Sequence, residues 1–284
     1  MMKLKYQIDR KSLETMYCTF VRPKLEYASI IWDDCNIIDK MRLENVQLAF
    51  ARIITGAKRG TSHNLLYNET SWTTLAERRK IMKLKFVHRL YYQYAPEYLL
   101  QLLPGSVNKH VTYNVRSGDN IRQYPTRTEK FRKSLLPDCI REFNDVSLLH
   151  RQDSNSKSFI NQLFEPSICS SLYYGQNRKC NIIHAQFRMN CSNLKAHLFD
   201  LKVVDDPFCA CSNQIESCEH FFFHCNLYFV QRQDLLYNVN RISSNVAVTT
   251  SLLLYGSDEL SIDENAQIFA FVENYIEKSD RFII

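Results

Sequence analysis

The chain has 284 residues, 45% of them apolar, with only six Gly and seven Pro. That is apolar mass enough for a packed core, which excludes disorder as the main state, and too few turn formers for an all-β fold of many tight turns. Its net charge of +6 is uneven: residues 1–142 carry 25 Lys/Arg against 14 Asp/Glu (+11), and residues 143–284 carry 11 against 16 (−5), so the front half alone suits a polyanionic partner.

Taken in chain order, residues 9–33 predict a helix. Leu13, Met16, Tyr17, Phe20 and Val21 recur at helical spacing, Pro23 ends or kinks the helix, and an apolar run resumes over 25–32. Residues 39–55 follow the i, i+3, i+4, i+7 pattern through Leu43, Val46, Phe50, Ile53 and Ile54, with Gly56 as the stop. Residues 71–94 form the longest helical candidate, and Thr74 with Glu77 fits a capping box. At about 100° per residue, Arg78, Lys85 and Arg89 share one ridge between two apolar stripes, suited to a phosphate backbone. The bland reading of that ridge is a solvated face.

Pro96, Pro104 and the polar stretch 105–130 mark a boundary. Arg116, Arg122, Arg127, Lys130, Arg132 and Lys133 interleave there with Tyr113, Tyr124 and Phe131. Cations among aromatics suit single-stranded nucleic acid, and an extended connector with ordinary surface charge is the competing reading. Short helices are predicted over 134–145 and 154–164. A longer one is predicted over 180–200, with Ile183, Phe187, Leu194 and Leu198 as core, and others over 226–237 and 263–278.

The sharpest chemical signal lies near the C-terminal end. Cys209-Ala-Cys211 is followed by eight residues, His220, four residues and Cys225. Three thiols and an imidazole are the donors a tetrahedral zinc ion prefers, and a set of four leaves no open position for catalysis. His-x4-Cys is also the spacing of retroviral-type zinc knuckles, which handle nucleic acid. Residues five apart on an α-helix point about 140° from each other, so His220 and Cys225 share a metal only if the chain bends between them or Cys225 lies at a helix end. Cys218 and His224 are rival ligands, and Ser217 is placed to cap a short helix. The remaining cysteines, Cys18, Cys35, Cys139, Cys169, Cys180 and Cys191, are scattered and read as small buried hydrophobes.

Other catalytic patterns are weak. Ile30-Ile31-Trp32-Asp33-Asp34 has the look of a polymerase aspartate pair, but two-metal chemistry needs a further carboxylate from an upstream strand, and only Asp9 precedes it. No phosphate-binding Gly loop, nucleophile elbow or His-Glu-x-x-His pair is present, and the other histidines are isolated. Met1 to Lys11 is charged and mixed, unlike a secretion signal, and no apolar run nears the ~20 residues needed to cross a bilayer. Reduced thiols and an intracellular location, the nucleus included, are the expectation.

Several strings together resemble the region after the palm in non-long-terminal-repeat retrotransposon reverse transcriptases, most of all the jockey-like elements. They are Phe20-Val21-Arg22-Pro23-Lys24-Leu25-Glu26-Tyr27-Ala28 with Trp32, Arg52-Ile53-Ile54-Thr55-Gly56, Leu75-x-x-Arg78-Arg79, Tyr113-Asn114-x-Arg116-Ser117, Pro137-x-x-Ile140-Arg141-x-Phe143-Asn144, the Cys/His cluster and Asp280-Arg281-Phe282. The resemblance covers essentially the whole chain. Ser212 stands where that family often has Gly, and Phe143 where Trp is common.

The resemblance implies a helical thumb-like bundle over 1–104, a basic connector with short helices over 105–166, and a helical C-terminal region over 167–284 with a small zinc-knuckle-like module. The expected fold class is thus mainly α. The expected function is non-catalytic nucleic-acid binding, in origin a grip on template and primer. A structural Zn2+ is expected on Cys209, Cys211, His220 and Cys225. Phosphate contacts are expected from Arg78, Lys85, Arg89, Arg116, Arg127 and Arg132. The expected partner is RNA or DNA, with no membrane and no small-molecule substrate. A zinc-stabilised protein-interaction module and a non-functional retrotransposon remnant are the alternatives.

Overall fold

A computed structural model describes residues 5–107, 118–164, 173, 175, 177–211, 214–243 and 246–282. Among them the chain is mainly helical, with two isolated β-bridges and no strand. No helix among them is long and apolar enough to cross a membrane.

Helix α1 (Arg10–Met16) starts at Asp9, whose carboxylate accepts from the Ser12 N–H at 2.8 Å. It passes through one π turn (Tyr17–Val21) into α2 (Arg22–Glu26). Pro23, second in α2, has no N–H to donate, and the wider turn just ahead of it absorbs the interruption. The apolar run resumes only as α3 (Ser29–Trp32), because Ala28 sits at φ 50°. Helix α4 (Ile37–Thr55) stops at Gly56, where φ is +74° and a Cβ would run into the Ile182 side chain, so only glycine fits.

Helix α5 (His63–Thr70) is capped by Ser62. In α6 (Leu75–Tyr91) both halves of the expected capping box form. Short helices α7 (Glu97–Leu100) and α8 (Glu129–Arg132) precede α9 (Leu135–Asn144), α10 (Leu148–Arg151) and α11 (Ser156–Leu163). The single helix expected over 180–200 is instead two, α12 (Arg178–Arg188) and α13 (Lys195–Asp200). Asn190 adopts φ 50° between them, a conformation that asparagine tolerates and a helix interior cannot hold. After a π turn (His220–His224) and a 3-10 turn (Asn226–Tyr228) come α14 (Phe229–Ile242), α15 (Thr250–Tyr255) and α16 (Ile262–Lys278).

These helices form two compact units, each assembled from separated stretches: Met1–Phe20, Leu48–Trp72 and Cys169–Ile284 in one, Val21–Gln47 and Thr73–Ile168 in the other. The division follows tertiary packing and cuts across the three consecutive segments read from the sequence.

In the second unit, α6 packs against α3, α9 and α11. Leu84, Val87, Cys139, Ile140, Phe143 and Phe159 form its core. Phe143 is fully buried. Asn144 donates to the Ile121 carbonyl at 2.8 Å and accepts from the Ile121 N–H at 3.0 Å, which ties the connector to α9. Lys83 is buried on α6 with its ammonium 2.5 Å from Asp33 and 2.6 Å from Asp138. Burial opposes its charge, but the bonds to Asp138 and Asp33 outweigh that and hold it above the usual lysine range.

In the first unit, Phe187, Phe221, Phe222, Tyr275 and Phe282 centre one core, and Leu48, Ala51, Leu66, Ala185 and Met189 form another. Between α1, α5 and α12 lies a buried ion cluster. Glu69 accepts from Arg10 at 2.6 Å and from Arg188 at 2.7 Å, and the Arg188 guanidinium lies 4.0 Å from the centre of the Tyr173 ring.

Glu273 on α16 is also buried, in no ion pair among the described residues, its carboxylate 3.4 Å from the Asn181 amide. Burial pushes its pKa up to about 7. A carboxyl whose folded pKa exceeds its unfolded value contributes fully below the unfolded value, near 4.5, and loses that contribution as pH rises toward 7. Glu273→Gln is therefore expected to stabilise the protein at pH 8 by on the order of 1–2 kcal/mol. At pH 5 it is expected to change little. Thermal melts at the two pH values check this, and an equal effect at both would contradict it.

Candidate metal centre

The first unit brings all four sequence-predicted ligands together. Each of Cys209, Cys211, His220 and Cys225 offers a donor atom, and these atoms lie within 4.8 Å of one another. Cys209 Sγ is 3.6 Å from Cys225 Sγ, and Cys211 Sγ is 3.2 Å from His220 Nε2. Zinc bonds of about 2.3 Å to sulfur and 2.0–2.1 Å to nitrogen place tetrahedral donors about 3.6–3.8 Å apart. The donor set thus fits a four-coordinate metal ion by both chemistry and spacing.

Local backbone explains the convergence. Cys209 and Cys211 sit on a tight loop closed by the Phe208–Ile215 bridge, with the Cys209 N–H donating to the Gln214 carbonyl at 2.8 Å. The Glu216 N–H donates to the Pro207 carbonyl, also at 2.8 Å, at the base of the loop. Ser212 lies outside the described residues.

Ser217 caps the next turn by accepting from the His220 N–H at 3.1 Å, as its position suggests. From His220 the chain winds as a π turn, closed by the Cys225 N–H donating to the His220 carbonyl at 2.8 Å. A π turn closes over five residues where an α turn closes over four, so positions 220 and 225 come round to the same side. The 140° objection applies only to an α-helix. Phe221 and Phe222, fully buried among Phe187 and Tyr275, anchor the turn, and the Tyr275 hydroxyl donates to the Phe221 carbonyl at 2.6 Å.

The rivals fall away. Cys218 is part-buried against the aromatic core and His224 is exposed, and neither joins the donor group. Burial pushes the Cys209 thiol up and the Cys225 thiol to about 12, and a cation at the centre is what would favour their thiolate forms. His220 and Cys225 are almost wholly buried, a setting for a structural ion more than for a reacting one.

Sequence reasoning overlooked the support behind the loop. Buried Glu216 receives both arms of the Arg281 guanidinium at 2.7 and 2.9 Å and the Lys195 N–H at 2.8 Å. It thereby joins the metal-side loop to the start of α13 and to the C-terminal turn. Phe282 follows onto Phe187 and Phe221. Arg281 was visible only as part of a short string, because no periodicity links an arginine to a glutamate 65 residues away.

The predicted phosphate contacts are less uniform. Lys85 and Arg89 are exposed on α6 and line a cleft of about 470 Å³ with Met82, Phe86, Pro96 and Leu99. Arg78 does not share their freedom: it is part-buried and forms a two-armed ion pair with Glu26. Arg127 is exposed. Arg132 is exposed but bonds to Glu129 one turn back, and with Lys133 holds that carboxyl down to about 2. Arg116 lies outside the described residues.

Asp33 of the apparent aspartate pair is enclosed by Lys40 at 3.1 Å, Arg79 at 2.7 Å and Lys83 at 2.5 Å. Burial pushes its carboxyl up, but the bonds and charges of Lys83 and Lys40 offset this and keep it below the usual range. Comparison of the chain with family models, with curated proteins and with solved structures finds no match.

Proposed function

We propose that Cys209, Cys211, His220 and Cys225 hold a structural Zn2+, and that the protein is a non-catalytic, nucleic-acid-binding region of the kind found after the palm in non-long-terminal-repeat reverse transcriptases. One observation carries the proposal. Three sulfurs and an imidazole nitrogen, in the Cys-x-Cys…His-x4-Cys order, lie at distances suited to one tetrahedral ion. The basic front half supports a polyanionic partner, with Lys85 and Arg89 exposed on α6, Arg89 also donating to the Tyr94 carbonyl at 3.3 Å. Engagement of Asp33 by three cations supports a non-catalytic role.

Zinc content of the purified protein and filter binding of RNA and DNA at about 50 and 200 mM salt test the two parts. One zinc per chain is expected, with affinity that falls steeply with salt and weakens in Lys85→Gln/Arg89→Gln. Sub-stoichiometric zinc removes the metal claim, and salt-independent or absent binding removes the nucleic-acid claim.

A second reading, a zinc-stabilised module that binds protein, is favoured by the exposure of Leu227, Phe229 and Val230 directly after Cys225. A pull-down that survives nuclease treatment would select it.

A further inference from the structure

The first unit carries a basic cleft that none of the predicted contacts includes. It measures about 620 Å³ and is lined by Lys5, Ala49, Arg52, Ile53, Ala57, Arg59 and Gly60. Ala49, Arg52 and Ile53 stand at i, i+3 and i+4 on the last turns of α4, so they share one helix face. Arg59 and Gly60 follow in the loop that begins at Gly56, and Lys5 comes from the N-terminal segment.

Among the described residues no carboxylate lines the cleft, and none of Lys5, Arg52 and Arg59 forms an ion pair. A further cation lies behind its lining. Buried Arg178 donates to the carbonyls of Lys5 at 3.0 Å, Ile53 at 3.2 Å and Ile54 at 2.6 Å. Those carbonyls include two of the unpaired acceptors at the end of α4, so Arg178 cancels the negative pole that would otherwise repel an anion there. Burial and the nearby Arg10 charge pull Arg178 down to about 10, which leaves it protonated at neutral pH. Asp9 and Glu14, the acids that act on Arg178, are themselves engaged by Ser12 and Arg10.

Three cations without an ion pair among the described residues, one of them (Lys5) 5.2 Å from the centre of the Tyr6 ring, lie over an aliphatic floor backed by a fourth, and make a site for a ligand with several negative charges spaced along it. Among the described lining residues there is no aromatic ring to stack on a base, the nearby Tyr6 ring lying against Lys5. At Gly60, φ is +92° and the space where a side chain would stand is open, which leaves the backbone approachable.

The geometry points to a second nucleic-acid contact surface, in which Lys5, Arg52 and Arg59 bind consecutive phosphates of a single strand without reading its bases. This rests on the nucleic-acid reading above and adds a site on a different unit from Lys85 and Arg89.

The test is the salt dependence of binding to a labelled single strand of about 20 nucleotides, as RNA and as DNA, using the full chain. Each phosphate contact on a single strand contributes about 0.7 to the slope of log K against log salt, so Lys5→Gln/Arg52→Gln/Arg59→Gln is expected to lower the slope by about 2. Affinity at low salt is expected to fall at least roughly tenfold, equally for different base sequences. Circular dichroism and the melting temperature are expected to match the parent, because no ion pair is lost.

If the triple variant binds like the parent while Lys85→Gln/Arg89→Gln weakens, this inference fails and the nucleic-acid reading stands. If the parent binds no strand at any salt, both fail. If inorganic phosphate displaces the strand at matched phosphate concentration, the cleft is a small-anion site and the strand assignment is overturned. Loss of binding to phosphatidylserine vesicles in the triple variant, with strand binding intact, would overturn it in favour of a membrane surface.

Discussion

Cys225→Ser is expected to abolish the effect of zinc on stability. The parent should melt several degrees lower after treatment with a chelator, and the variant should melt at the same temperature with and without it. Free zinc a thousandfold above its dissociation constant stabilises a folded protein by about 4 kcal/mol, and structural zinc sites commonly bind far more tightly than that comparison requires. The effect is expected to be large because the four donors come from two separate pieces of chain, the 208–215 loop and the π turn. Without an ion, the two pieces are held by the Glu216 clamp, the short loop hydrogen bonds and the aromatic core around Phe221 and Phe222, none of which bonds the four donor atoms to one centre. Cys218→Ser is the control, since Cys218 lies outside the donor set. A parent melting temperature indifferent to chelator, with no zinc in the preparation, would defeat the metal assignment. The Cys225 thiol is fully buried, so the substitution also disturbs packing. The readout is therefore the difference made by zinc, which packing loss alone does not alter.

Removing the Glu69 charge is expected to cost about 3–5 kcal/mol, because it takes the shared carboxylate from two buried guanidinium groups, Arg188 and Arg10, of which Arg10 keeps Glu14 at 3.2 Å. Arg10 and Arg188 are each almost wholly enclosed, so neither can turn to water for compensation. Burial would push Glu69 up, but the charges and hydrogen bonds of Arg188 and Arg10 outweigh it and hold the carboxyl below its ordinary value of 4.5. A carboxyl with a depressed folded pKa contributes stability above the unfolded value and loses it as pH falls through the folded value. Glu69→Gln should therefore unfold at much lower urea than the parent at pH 7. The gap should narrow as pH drops below about 4.5, where the parent carboxyl also begins to neutralise. A loss under about 1 kcal/mol at pH 7, or a gap that widens in acid, would show that the cluster is not an ionic unit. The Tyr173 ring over Arg188 and the Leu254 carbonyl at 3.4 Å would remain, and cation–π contacts of this kind offset only ~1–2 kcal/mol.

Much of the helical framework was legible in local pattern. Apolar spacing marked α4 and α6, the Thr74–Glu77 pair marked the start of α6, and helices were expected where α9, α11, α14 and α16 stand. The Cys/His signal was legible because metal ligands must be particular residue types at short spacing. Legibility ended where a residue's state depends on something distant in sequence. Arg78 matched the exposed ridge by angle alone, yet Glu26, 52 residues earlier, holds it. Lys83 and Arg79, one side of the same helix, are buried against Asp33 and Asp138. Phe20 and Val46 fit an apolar stripe but are exposed, because periodicity identifies a face without showing whether anything covers it.

Composition and periodicity therefore determined on their own that this is a helical protein with a basic front half and a four-donor Cys/His set, since those properties follow from residue type and short-range spacing. Only the tertiary structure decided that His220 and Cys225 face one centre, because a π turn has no signature in the 3.6-residue period. It alone decided which cations stay free and which are spent on buried carboxylates, because ion pairing depends on which helices meet. The Lys5, Arg52 and Arg59 cleft arises the same way: Lys5 is distant in sequence from the other two, and packing brings it beside them with no acid among the described lining residues.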